Sequence, residues 1–322
     1  MKTEHYYLGH PEQIAGAEFF RREGGTADRT KVCRIRNGRG LEVILAADRC
    51  ADAAEVVFMG CNLGFLAPCG HRKANPNGPF LSNFSAGFIT TCGFENVGSP
   101  NMDEGEELTL HGSIGNTPCQ NFFAETRKDG IRVSATVYDA SLFGRNMKLE
   151  REYFFPFDEN AMILWDTVTN LSDREVPMQI LYHCNTGYPL LDEDAIITIP
   201  STEVTPRNPH SAEGIATWQV SEKPQMGYEE MCFFHKMEGK TAVSIEQPKK
   251  KLGFRMEYDT ADLPYFTQWK MMGQREYVMG LEPGNCTPDG RAAQRADGTL
   301  TVMKPEESRT YELKFVFYQR EA

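Results

Sequence analysis

The sequence has 322 residues, 40% of them hydrophobic and 25% charged, an ordinary globular composition long enough for one large core or two modest ones. Thirty-four Lys and Arg against forty-five Asp and Glu leave a net charge of −11, which argues against duplex DNA or an anionic membrane as partner. No apolar stretch approaches the roughly 20 residues that span a bilayer, and Met1–Tyr7 holds no apolar signal core, so a cytoplasmic protein is expected.

In chain order, a short turn at Pro11–Ala17 precedes a series of alternating apolar runs. Leu41, Val43 and Leu45 form one such run, and Ile131, Val133, Ala135 and Val137 another. Met162, Leu164 and Val168 follow, then Leu252, Phe254, Met256 and Tyr258, and finally Tyr311, Leu313, Phe315 and Phe317. A period of two is the signature of half-buried strands. Turn residues punctuate the runs at Asn37–Gly38, Asp129–Gly130, Asp158–Asn160, Glu238–Gly239, Asp289–Gly290 and Asp297–Gly298. No window of ten residues carries a helical stripe. The pattern predicts an all-β sandwich or barrel with little helix. No linker or composition shift divides the chain, so one domain over residues 1–322 is expected, with function carried by two irregular segments, Gly60–Asn121 and Pro200–Tyr228. Lys249–Lys250–Lys251 reads as a solvated strand end.

Nine scattered cysteines, without a Cys-x-x-Cys pair, read as reduced thiols and small apolar fillers. Nucleophile-elbow, Walker and dinucleotide fingerprints are absent. Among seven histidines, His111 stands directly before Gly112, and His183 ends an apolar run beside Asn185. Each is either a hydrogen-bonded core histidine or a group facing a cleft. Glu282, between Leu281 and Pro283, is either a solvent-facing turn residue or a partly buried base with a raised pKa. Gln268 and Lys270 share one strand face, opposite Trp269 and Met271, and that face would suit a polyol or simply meet solvent. Arg49 pairs with Asp48 or Asp52, or reaches a ligand.

Five segments carry a resemblance when taken together. They are Thr91–Gly98, with Asn96; Leu110–Gly112; Tyr182–Asp192; Gln268–Gly273; and Gly280–Pro283. As a set these resemble the aldose 1-epimerase-like proteins, a branch of the galactose mutarotase-like superfamily, over essentially the whole chain. The resemblance implies a β-supersandwich of large antiparallel sheets and an isomerase that interconverts sugar anomers by acid/base ring opening. It implies His183 as the acid on the ring oxygen and Glu282 as the base on the anomeric hydroxyl. Substrate binding would fall to His111, Arg49, Asn96, Asn185, His235, Gln268 and Lys270. The implied ligand is a small carbohydrate, with no cofactor, metal, nucleic acid or membrane, in a monomer or homodimer. Two positions differ from the family pattern: Tyr182 directly precedes His183, and Gly284 stands two residues after Glu282. Ring opening needs simultaneous proton donation and abstraction, so His183 and Glu282 are expected to face each other across a sugar-sized gap, with His111, Gln268 and Lys270 in the same cleft. The alternatives are a metal-dependent sugar isomerase or lyase using His111, His183, His235 and Glu282, or a non-catalytic carbohydrate-binding protein.

Overall fold

Antiparallel strands build almost everything in the computed structural model, which describes residues 4–76 and 78–320; its longest helix among them is the seven-residue Arg291–Asp297. An eight-stranded sheet runs in the order Gln120–Thr126, Gly130–Ala140, Asn146–Pro156, Ala161–Asn170, Ser308–Gln319, Leu252–Asp259, Lys240–Gln247, Ile196–Thr198. The strand nearest the C-terminus is thus hydrogen-bonded on both sides in mid-sheet. A five-stranded sheet takes in residues 16–62.

The third large sheet has six strands: β1 (Ile89–Phe94), β2 (Gln179–Gly187), β3 (Glu203–Pro206), β4 (Met231–Lys236), β5 (Tyr265–Gly273) and β6 (Glu276–Gly284). Their spatial order is β3-β4-β5-β6-β2-β1.

The alternation read from the sequence is the alternation of burial. Leu41, Val133, Leu164, Phe254 and Phe315 are buried, as are the other members of their runs. Phe88, next to β1, meets Phe254, Phe315 and Phe317 with ring centroids 5.6, 5.5 and 6.0 Å away. Fully burying each such ring contributes about 1.5–3 kcal/mol. All nine cysteines are free, and Lys249–Lys251 sits at an exposed turn between strands. No helix among the described residues is long and apolar enough to cross a membrane.

One polar cluster lies inside this core. The Arg151 guanidinium grips Asp166 through two hydrogen bonds of 2.8 and 2.6 Å and also bonds Asp52, Thr91 Oγ1 and the Cys50 carbonyl. Tyr182 on β2 donates to Asp166 at 2.8 Å, while the Thr91 N–H and hydroxyl donate to Asp52. Every charged group here has partners, as buried charges require.

Candidate functional site

Strand alternation sends neighbours on β2 and β6 to opposite faces. On β2, Tyr182 and Cys184 point into the core, whereas His183 and Asn185 take the other face. On β6, Met279 and Leu281 are core residues, and Gly280 and Glu282 share the His183 face. The register pairs Leu181 with Gly284 and Cys184 with Leu281, which sets His183 directly opposite Glu282.

His183 Nε2 consequently lies 3.2 Å from Glu282 Oε1. The expected sugar-sized gap between them is therefore not there. They are cross-strand neighbours, and a ligand must lie over the pair rather than between its members. Gly280 makes the arrangement possible, because a Cβ there would stand 2.3 Å from Glu282 Oε1 and 2.9 Å from Trp269 Cβ.

The pair forms the floor of a cleft of about 200 Å³. Drug-sized ligands fill pockets of about 300–1,000 Å³, so this cleft takes a single small ring. Phe80 and Phe84, stacked at 5.1 Å, form one wall: Phe80 lies against His111 at 5.0 Å and Phe84 against the edge of His183 at 5.3 Å. Trp269 closes the other side at 5.2 Å from His183, its indole N–H donating to Glu230 at 2.6 Å. Arg207 lines the rim, held by Asp289, Ser99 Oγ and the Pro288 carbonyl.

His111 has φ +57° and is followed by Gly112, where a Cβ would meet the Gly93 carbonyl oxygen at 2.2 Å. The Gly98 N–H donates to His111 Nδ1 at 3.2 Å. In neutral imidazole the other nitrogen then carries the proton, so Nε2–H is His111's donor for a ligand.

Burial dominates the electrostatics. It lowers His183 to about 3, helped by neighbouring His111, and the Asn185 side chain partly opposes the shift. Burial, then Arg207, lowers His111 to about 4. Glu282 is pushed well above the usual carboxylate range by burial and by Glu230, against Arg207. Both shifts disfavour the charged forms, of imidazole as of carboxylate, because the floor is buried. Cys232 lines the cleft too, and burial, followed by its neighbours Glu282 and Glu230, raises its thiol to about 12 against Arg207.

Four buried polar atoms around the floor have no hydrogen-bond partner: Glu282 Oε1, His183 Nδ1, Asn185 Oδ1 and Thr267 Oγ1. Such atoms are rare, and each calls for an explanation.

Several expected ligand contacts are instead structural. Gln268 and Lys270 do share a face, but it is the one turned away from the cleft, where they bond the Trp218 and Thr217 carbonyls and Glu222. Their strand neighbours Thr267 and Trp269 line the cleft in their place. His235 belongs with Gln268, bonded to it at 3.1 Å and to Ser201 at 2.7 Å, with Trp218 packed on its ring. The four-ligand metal set of His111, His183, His235 and Glu282 therefore does not assemble.

Arg49 spends its donors on the Arg72 and Asn83 carbonyls and the Asn83 and Asn116 side chains, beside a separate cavity of about 40 Å³. It anchors the loop that carries Phe80 and Phe84. Asn96 bonds the Gly98, Ser99 and Thr109 carbonyls and so shapes the loops bearing Ser99 and His111. Asn185 donates to the His183 carbonyl at 2.8 Å and does not line the cleft. Of the cleft residues the sequence did not single out, Phe80, Phe84 and Arg207 come from the two irregular segments, whereas Glu230 and Cys232 lie just beyond the second. Trp269 was legible as the alternation partner of Gln268.

The family model described as Domain of unknown function (DUF4432) matches residues 28–316. No curated protein matches the sequence. Among solved structures, a Klebsiella pneumoniae protein provisionally named an aldose 1-epimerase is 25% identical, with a TM-score of 0.89 over 96% of this chain and 86% of that one. A galactose mutarotase-like protein from Clostridium acetobutylicum is 15% identical, with a TM-score of 0.68 over 95% and 99% of the two chains. Galactose 1-epimerase from Lactobacillus acidophilus is also 15% identical, with a TM-score of 0.67 over 95% and 100%.

Proposed function

The chain belongs to the DUF4432 family and has the galactose mutarotase-like fold, and from that premise we propose that it is an aldose 1-epimerase-like isomerase acting on a monosaccharide unit. The observation that carries the reading is the buried Glu282 carboxyl 3.2 Å from His183 at the floor of a one-ring cleft. The ring oxygen and the anomeric hydroxyl are attached to one carbon. A carboxyl and an imidazole side by side on adjacent strands suit two oxygens that are themselves side by side.

The pair shares one proton. Its transfer from Glu282 to His183 gives imidazolium and carboxylate without changing net charge. His183 then donates to the ring oxygen while Glu282 accepts from the anomeric hydroxyl, the C1–ring oxygen bond breaks, and a free aldehyde forms. Rotation about the bond to C1 and the reverse proton movements close the ring on the other face. His111 Nε2–H and Thr267 Oγ1 supply hydrogen bonds to sugar hydroxyls, and the Phe80–Phe84 wall excludes water. Each proton-transfer group contributes typically 10²–10⁴-fold. The nine unpaired thiols fit a reducing cytoplasm as the compartment.

The test is magnetisation exchange between anomeric proton signals in an NMR panel of aldoses and uronates. Wild type should accelerate exchange for at least one monosaccharide, and Glu282→Gln should lose that acceleration. Equal exchange by the two proteins on every sugar would overturn the assignment.

A further inference from the structure

We infer that a second saccharide-binding groove continues the cleft and that the full ligand is a reducing disaccharide or longer chain; this rests on the reading of His183 and Glu282 above. The groove holds about 430 Å³ and is lined by Thr205, Phe234, Lys236, Tyr265 and Thr287 among others. It shares no lining residue with the first cleft, yet β4 and β5 contribute to both. Phe234 follows the cleft residue Cys232 by two positions on β4, and Tyr265 precedes the cleft residue Thr267 by two on β5. Thr205 on β3 likewise stands two positions before Arg207. Residues two apart on a strand share a face, so Phe234, Tyr265 and Thr205 present the groove on the cleft's side of the sheet, while His235 and Phe266, which alternate with them, border it as well.

The register fixes their separation. Thr205 pairs with Phe234, Phe234 with Thr267, and Thr267 with Glu282. At about 4.8 Å per strand, Phe234 lies roughly 10 Å from Glu282, one ring beyond the ring that the floor would hold. The lining chemistry suits a sugar. Phe234 and Tyr265 are half-buried aromatics whose faces can pack against the C–H side of a pyranose, while Thr205, Thr287 and Lys236 offer polar groups to its hydroxyls. A ligand ring at the floor must keep its anomeric carbon free, so the second ring is attached through another hydroxyl of the first.

The test compares glucose and galactose with the reducing disaccharides maltose, cellobiose, lactose and melibiose, which differ in linkage. KM for anomer exchange should be at least tenfold lower for one disaccharide than for its reducing-end monosaccharide. Phe234→Ala, or Tyr265→Ala should the first variant fold poorly, should erase that ratio. If monosaccharides exchange and no disaccharide gains, or the ratio survives both variants, the groove is not a sugar subsite. If neither mono- nor disaccharide exchanges with folded wild-type protein, the acid/base reading itself fails and the groove proposal falls with it.

Discussion

Tyr182 and His183 are consecutive residues of one strand, yet they enter opposite kinds of buried polar cluster. Tyr182 joins Arg151, Asp52, Asp166 and Thr91, where each charged group is held by partners in ideal reach. His183 joins Glu282, Asn185 and Thr267, each of which leaves a buried polar atom without a partner. An unmade hydrogen bond on a buried group costs about 1–3 kcal/mol, so the second cluster weakens the fold that the first cluster specifies. The two clusters show how to read buried polarity. A complete network closes on itself and leaves nothing for a ligand, whereas an incomplete one at the foot of a cleft keeps its capacity for something that arrives from solvent.

The contrast can be broken by substitution. The largest effect is expected at Glu282→Gln, where anomer exchange should fall by roughly 10²–10⁴-fold. Chemical denaturation should meanwhile find stability unchanged or raised, because the amide keeps the shape of the side chain and removes an ionisable group from a buried site. Loss of stability without loss of exchange would reverse the roles given to the two clusters.

Asp166→Ala should do the opposite. It leaves a buried guanidinium half-paired, and removing one partner of a buried pair costs about 3–5 kcal/mol, read as the shift in urea midpoint. The sugar affinity of the protein that remains folded should stay near wild type.

Gly280→Ala sharpens the comparison further, since the added methyl falls 2.3 Å from Glu282 Oε1. Overpacking of this kind costs about 1–3 kcal/mol. A displacement of about 1 Å at the carboxyl proposed as the base should slow exchange about 10²-fold.

The smallest effect concerns acid. His235 has a folded pKa lowered to about 4 by burial, whereas the unfolded chain takes up its proton near 6.5. The stability that goes with neutral His235 is therefore complete above pH 6.5 and is lost as pH falls toward 4. It changes by at most about 1.4 kcal/mol per pH unit for this one proton. His235→Gln should reduce proton uptake on unfolding by close to one in that window. An unchanged slope would mean that His235 is protonated in the fold.

How much of the site could be read in advance differs residue by residue. His183, Glu282 and His111 were legible from their motifs, and the structure gathers them in one cleft. Arg49, Asn96, His235, Gln268 and Lys270 were legible as unusual polar residues among apolar ones. Arg49, His235, Gln268 and Lys270 prove to hold the two irregular segments in place, and Asn96 ties together loops within the first of them. A polar residue in apolar company must have partners, and its type alone does not say whether they are a ligand or a backbone carbonyl. Phe80, Phe84 and Arg207 carried no signal, because loops have no period that would assign their side chains to a face.

By itself the sequence determined the strand character, the turns and which side chains share a face, since a period of two follows from the pleat of each strand. It put Gln268 with Lys270 and Trp269 with Met271. Only the tertiary structure decided which of those faces is the cleft, because that depends on which side of the sheet another layer covers. It also decided that His183 and Glu282 touch, because the register between two strands nearly a hundred residues apart is set by their packing, which neither strand encodes alone.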